Sequence, residues 1–547
     1  MRVLRRSWRI ALVAVVLTLS LQAQLLETEP AIPSGPYRIA GTAVDAKTGN
    51  PLAYARVQIM NAKRQQETQA YATSGDGRFE FHVLAGKYGL FAAKRGYIQS
   101  AYNQHELFSS GIVTGAGLDT ENLILRVMPA AVLSGRVLDE NGEPVRGAAV
   151  MVHRQNHESG ITRVDSVRGA TTDDQGSYEA PSLEPGTYFV SVTTSPWYEV
   201  HPATAIVGSS SSSSADSSLD VAYPTTYYGD VTEAEEATPI PVRGGDRLEA
   251  DIHLTPVAAL HLLFSVPDEG RNGVNVPSIE KPAFGQMETV PNDGVQQVSP
   301  GVYEITGVPA GSYVVRMPGS DGQLQSPMAV NLASSQELSG VGGSPTGSAT
   351  ITVQMMGSAV LPNGLYLGLR DNKGSVNTEA VGAQGKVEFG DLMGGQYTVV
   401  AGVPNAIYSV VRLSVGGQAV EGRSFSVAPG AAVEASVTLI TGSATVQGLA
   451  KRNGKPAPGA MIVLVPKDPE NNQDLFRRDQ SDLDGTFSLL NVVPGTYSVI
   501  AIEDGWDLDW AKPVVLVRYN RHGQPLTVPP GSRGTIQLPR PVDVEPK

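Results

Sequence analysis

Residues 485–497 read Gly485-Thr486-Phe487-Ser488-Leu489-Leu490-Asn491-Val492-Val493-Pro494-Gly495-Thr496-Tyr497. A glycine opens the stretch and apolar residues then alternate with polar ones. A Pro-Gly turn follows, and a tyrosine opens the next extended run. The same order recurs from Gly77 to Tyr88, Gly176 to Tyr188, Gly301 to Tyr313 and Gly385 to Tyr397. The Gly-to-Tyr spacing is 11 in the first copy and 12 in the other four. That regularity defines an internal repeat. The first glycine supplies the positive φ of a tight turn. Alternation such as Arg78-Phe79-Glu80-Phe81 buries one face of a strand. Ala85-Gly86 or Pro494-Gly495 reverses the chain. The tyrosine-led segment is predicted to return as an antiparallel partner, so each copy reads as a hairpin. A tyrosine at one strand position in every copy reads as a packing residue.

A second pattern precedes the repeat in copies one, two and five. It runs Gly41-Thr42-Ala43-Val44, Gly49-Asn50-Pro51, then Ala55–Ile59 in the first. Its counterparts are Gly135–Leu138, Asn141-Gly142-Glu143-Pro144 and Ala148–Val152, and Gly448–Ala450, Asn453-Gly454-Lys455-Pro456 and Ala460–Leu464. Asn-Gly and Gly-x-Pro are turn signals between two strands. Copies three and four have degenerate openings near Leu260–Val266 and Gly364–Arg370. Extended runs close most copies: Asn122–Val127, Leu248–Leu254, Val433–Leu439 and Gly534–Leu538. About seven short strands per copy predict an all-β chain of tandem antiparallel β-sandwiches of Ig-like, Greek-key type. Successive repeat tyrosines lie 100, 125, 84 and 100 residues apart, the size of domains. The expected sandwiches span 35–128, 129–256, 257–345, 346–441 and 442–540. The second carries a Ser-rich insertion at 208–218, which reads as a surface loop or linker.

Composition agrees with this reading. The 547 residues include 59 glycines, 38 prolines and no cysteine. Gly and Pro are the poorest helix formers, which argues against a helix-rich enzyme. Lack of cysteine excludes disulfide scaffolds, thiolate metal sites and a cysteine nucleophile. Residues 1–23 read as a signal peptide, with Arg2, Arg5, Arg6 and Arg9 ahead of the apolar run Ile10–Leu21. An uncleaved anchor and a twin-arginine route through Arg5-Arg6 are the alternatives. The expected location is secreted, periplasmic or cell envelope. No integral membrane span is expected after cleavage. The net charge is −13 and becomes −17 without residues 1–23. An acidic surface repels phosphate backbones, so nucleic acid is not an expected partner.

The combined pattern resembles the carboxypeptidase regulatory-like domain, a transthyretin-like sandwich of the carbohydrate-binding-like fold group. Gly41, Gly49-Asn50-Pro51, Ala55, Gly77-Arg78-Phe79 and Ala85-Gly86-Lys87-Tyr88 carry the resemblance, with their counterparts in copies two and five. The collagen-adhesin B-type repeat of surface stalks is similar in sandwich and turns. The resemblance implies a non-catalytic exported binding or scaffold protein of the bacterial envelope, with polysaccharide or an envelope protein as partner. A structural stalk or adhesion spacer is the alternative. An accessory subunit of a peptidase or outer-membrane transport system is a further one.

Catalytic and metal constellations were weighed against this. His153 and His157 lie four apart beside Glu158, but a third ligand and a helical context are missing, so they read as solvent-facing loop histidines. His105-Glu106 is no stronger. Asp482-Leu483-Asp484-Gly485 fails the calcium-loop pattern and reads as a turn. Isopeptide cross-links need a buried Lys, an Asn and an acid on adjacent strands, and no lysine recurs at one strand position. No cofactor is expected. Exposed aromatics are the remaining signal, because pyranose faces stack on π-surfaces. Trp197-Tyr198, Tyr227-Tyr228, and Trp506 with Trp510 are the candidate ligand-binding residues. The competing reading makes them caps of sandwich ends or fillers of domain junctions.

Overall fold

In a computed structural model the described residues are 32–115, 117–202, 217–265, 277–290, 294–299, 301–317, 328–338, 347–357, 360–371, 376–403, 406–441, 444–470, 472–529 and 532–547. The expected signal peptide and most of the serine-rich insertion lie outside them. The chain divides into two compact units. The first holds residues up to Arg95, Gln99–Asn103 and Ser109–Val127. The second holds Gly96–Ile98, Gln104–Phe108 and Met128–Lys547.

The first sandwich shows the plan. Its opening strand Tyr37–Asp45 pairs antiparallel with Arg78–Val83. In the facing sheet, Arg56–Asn61 lies between Thr68–Ala72 and Gly86–Ala93. Burial along Arg78–Val83 alternates strictly, with Phe79, Phe81 and Val83 inside. They meet Tyr88, Leu90 and Ala92, the buried face of Gly86–Ala93.

The two strands expected to form a hairpin therefore lie in opposite sheets. The same division holds in the second unit. Ser177–Leu183 pairs with Ala131–Leu138 while Gly186–Thr193 pairs with Ala149–Asn156. Val302–Pro309 and Gly311–Arg316 divide likewise between Val257–Ser265 and Ser278–Ala283. Lys386–Leu392 and Gly395–Val403 also take different partner strands, as do Thr486–Val492 and Gly495–Ile502, although in each of these two copies the ladders run on into one nine-stranded sheet. A hairpin and a crossing between layers show the same alternation, because both put every second residue on one core. Non-local pairing decides between them.

The repeat tyrosine is built into that crossing. The Tyr88 phenol donates to the Leu84 carbonyl at 3.1 Å. Tyr188, Tyr313, Tyr397 and Tyr497 donate in the same way to the carbonyls of Glu184, Pro309, Met393 and Val493, at 2.7–2.9 Å. Each ring is buried. Leu84, Glu184, Met393 and Val493 lie between the two strands, and Pro309 ends strand Val302–Pro309; each hydroxyl satisfies a carbonyl where the chain passes from one strand to the next. The first glycine of the repeat has φ between +68° and +80° in all five copies. At Gly485 an added Cβ would lie 2.6 Å from the Ala450 carbonyl oxygen, which excludes a side chain.

The closing strand departs from the antiparallel scheme. Leu123–Val127 pairs parallel with the opening strand, as do Arg247–Glu249, Gln336–Glu337, Ala432–Thr441 and Gly534–Gln537 in their own sandwiches. A closing strand beside the first strand ends each sandwich in the sheet where it began. The fifth sandwich adds one helix, Pro513–Asn520, with Pro at its first turn. Among the described residues no helix is long and apolar enough to cross a membrane.

Candidate functional site

The structure separates the candidate aromatics into buried and exposed. Trp506 and Trp510 do not form a surface platform. They are 8% and 4% exposed and belong to a core cluster with Phe476, Leu516 and Tyr519. Trp506 stacks on His105 at 5.1 Å and 5°. The Arg478 guanidinium lies 4.6 Å from the Trp510 ring and 5.7 Å from the Trp506 ring. Of the acids between the tryptophans, Asp509 serves the same joint, accepting from the Thr162 amide at 2.6 Å and hydroxyl at 2.7 Å, while Asp507 pairs with Lys547. These rings fill a junction within the second unit.

Tyr227 is also internal. It is 1% exposed and meets Phe284 edge-on, and Phe284 also packs on Phe189 and His153. Phe284 comes from the third sandwich, so Tyr227 lines the socket that receives it. Tyr228 is half-buried against the core of the second sandwich. The reading of His153 as a solvent-facing loop histidine is corrected too. It lies inside strand Ala149–Asn156, is 2% exposed, and contacts the hydroxyls of Ser191 at 2.8 Å and Ser166 at 3.1 Å. The His153 ring and Ser191 are buried, while Ser166 is exposed.

Trp197 is different. Its ring is 88% exposed and stands edge-on to Tyr198, with centroids 5.7 Å apart at 89°. The Tyr198 phenol donates to one oxygen of Glu140 at 2.5 Å, and Tyr223 donates to the other at 2.6 Å. Burial pushes the Glu140 carboxyl up, but the two phenol bonds outweigh it and hold it below its usual range. Burial and then the Glu140 hydrogen bond push the Tyr198 phenol up to about 12. The ledge is therefore a carboxylate with two protonated phenols at neutral pH. Tyr223 also lines a cleft of about 150 Å³ between the second and third sandwiches, with Thr193, Ser195, Glu233, Lys281 and Tyr313. Lys281 spans the cleft wall, donating to the Thr232 carbonyl and to Glu233, both at 2.9 Å.

The same junction holds a histidine cluster that the sequence reading missed. The short strand Val221–Ala222 leaves the second sandwich and joins the opening strand of the third. Asp220, just before it, meets His201 Nδ1 at 2.8 Å and His261 Nε2 at 2.9 Å. Local spacing gave no signal, because the three residues are far apart in the chain. The calcium-like turn behaves as read: Asp484 accepts from the Thr486 amide at 2.9 Å and hydroxyl at 2.6 Å, within its own turn.

Residues 38–114 and 132–219 match the family model described as carboxypeptidase regulatory-like domain. No curated protein matches the chain. Among solved structures, the TIE protein of Bacillus anthracis is similar over 97% of this chain and 78% of its own, at 10% identity and a TM-score of 0.17. The minor pilin of Streptococcus agalactiae is similar over 41% of this chain and 97% of its own, at 12% identity and a TM-score of 0.22. The major pilin subunit of Bacillus cereus covers 57% and 99%, at 12% identity and a TM-score of 0.13. Scores at this level leave the function to be argued from the site.

Proposed function

We propose that this chain, which carries carboxypeptidase regulatory-like domains in tandem, is a non-catalytic, exported binding protein of the cell envelope that takes polysaccharide at the Trp197 ledge. The supporting observation is Trp197 itself. An indole 88% exposed leaves its apolar face in water. A pyranose face covers such a ring, and Glu140 beside it supplies an acceptor for sugar hydroxyls. The N-terminal basic and apolar segments support export, and the net charge of −13 disfavours polyanions.

The test is a glycan array and polysaccharide pull-down with residues 24–547 and with Trp197→Ala. Retention of a neutral polysaccharide that falls at least tenfold in the variant is the expected result. Equal retention by both proteins would move the site elsewhere, and no retention on any glycan would remove the carbohydrate reading.

A scaffold that holds an envelope protein is the second reading. Strand Val376–Ala380 favours it, being an edge strand with all five residues exposed. Such an edge accepts a strand from a partner. Lysine at Val376 and Thr378 would blunt the edge and abolish cross-linking to an envelope protein without changing glycan retention.

A further inference from the structure

We propose that His201, Asp220 and His261 bind one divalent transition-metal ion of the zinc class, joining the tail of the second sandwich to the third. The three donor atoms lie within 4.8 Å of one another. A tetrahedral zinc ion with bonds of about 2.0–2.1 Å needs its donors about 3.3 Å apart. Metal binding therefore requires the three donors to draw together. Two imidazoles and one carboxylate suit zinc, cobalt or nickel rather than calcium or magnesium. Three protein ligands leave the fourth position to water.

The surroundings are what distinguish this cluster from a chance meeting of polar groups. His261 sits where the register slips between Leu260 and Leu262 on the opening strand of the third sandwich. A bulge re-aims a side chain. Here it turns His261 to 8% exposure, and the bulge amide donates to Ser335 Oγ at 2.9 Å. The other ring nitrogen, Nδ1, meets Glu304 at 2.9 Å, and Glu304 is fully buried. Gln296 donates to the second oxygen of Glu304 at 2.8 Å. On the other side, His201 Nε2 faces Glu199 at 3.5 Å. His261 thus presents Nε2 to the centre and backs Nδ1 with a buried carboxylate. That outer carboxylate fixes the tautomer and raises ligand basicity, as in metal-ligating histidines generally. Without metal, Asp220 accepts from both imidazoles.

The experiment uses untagged residues 24–547, stripped with a chelator, dialysed and titrated with zinc chloride or cobalt chloride. One equivalent bound per chain is expected, with a rise in melting temperature. Asp220→Asn and His201→Asn should lose that equivalent, while His522→Asn keeps it. Glu304→Gln should weaken binding about 10–100-fold. X-ray absorption of the zinc-loaded protein should show two imidazole nitrogens, a readout that survives even if a variant fails to fold. No stoichiometric zinc or cobalt, binding unchanged in folded Asp220→Asn, or a spectrum without imidazole would each overturn the proposal.

Discussion

His153 shows what a single side chain adds to this fold. Burial lowers its pKa from 6.5 to about 4. The ring is therefore neutral in the folded protein; it hydrogen-bonds Ser191 and Ser166, and the Glu288 carboxyl lies 4.0 Å away. A depressed folded pKa contributes stability that is complete above the unfolded value of about 6.5. That stability is lost as pH falls towards 4, since the unfolded chain takes up the proton first. The full contribution is about 3 kcal/mol. Hydrogen exchange in peptides covering Ala149–Asn156 should accelerate between pH 6.5 and 4.5, after correction for intrinsic rates. His153→Gln should flatten that dependence; an identical dependence in the variant would assign it to other groups. Tyr188 is a second residue-scale case. Tyr188→Phe removes the 2.7 Å bond to the Glu184 carbonyl and should cost the second sandwich about 1–2 kcal/mol, read as faster exchange across Gly186–Thr193. The role of the tyrosine was legible from its fixed position. The atom that it satisfies was not, because a carbonyl four residues back becomes needy only once the chain changes sheet.

The crossing between sheets is the element on which the fold turns. Alternation from Arg78 to Val83 was readable in sequence and is reproduced residue by residue. The pairing was not, since local pattern cannot say whether Gly86–Ala93 lies beside that strand or across the core. The parallel closing strands escaped for the same reason: extended runs such as Ala432–Thr441 announce a strand and not its direction. Turn chemistry was the most legible element. Gly485 has φ +80° and faces the Ala450 carbonyl, which accepts no nearer neighbour. The Ala450 amide in turn donates to the Gly485 carbonyl at 2.7 Å. Gly485→Ala must adopt a left-handed backbone and push against main chain together. It should destabilise the fifth sandwich by more than the ~1 kcal/mol that an unstrained Gly→Ala replacement would add to stability. Gly454→Ala meets nothing within 4 Å at φ +77° and carries only the backbone term. Urea unfolding of the two variants, followed by tryptophan fluorescence of Trp506 and Trp510, separates the effects. Equal midpoints would show that the close approach to Ala450 has no cost.

At the scale of the molecule, the second unit is more than a row of independent beads, and Arg478 is the reason that can be tested. Its guanidinium donates to Glu106 at 2.7 Å and to the Glu158 carbonyl at 2.8 Å. It also lies over the rings of Phe108, Trp506 and Trp510. One side chain thus joins the segment Gln104–Phe108, the loop after His157 and the fifth sandwich. Nothing in sequence announced this, because the partners are 320 and 372 residues away. The tryptophans were noticed for their chemistry, and the structure assigns that chemistry to a joint. Gly160 completes it: an added Cβ would lie 2.4 Å from that of Ala511. Arg478→Ala leaves the part-buried Glu106 without its counter-ion and opens a gap between two indoles. Breaking a fully buried pair costs about 3–5 kcal/mol, and this part-buried one costs less. The expected result is loss of docking with the sandwich itself intact: new protease cuts within 104–108 and 157–162, a red shift in tryptophan emission, and unchanged exchange across Met461–Pro466. Arg478→Lys should behave nearly as badly, because an ammonium cannot stack flat between rings while reaching two acceptors. Full recovery with lysine would show that charge alone holds the joint. Unfolding of the whole fifth sandwich in both variants would make Arg478 part of its core.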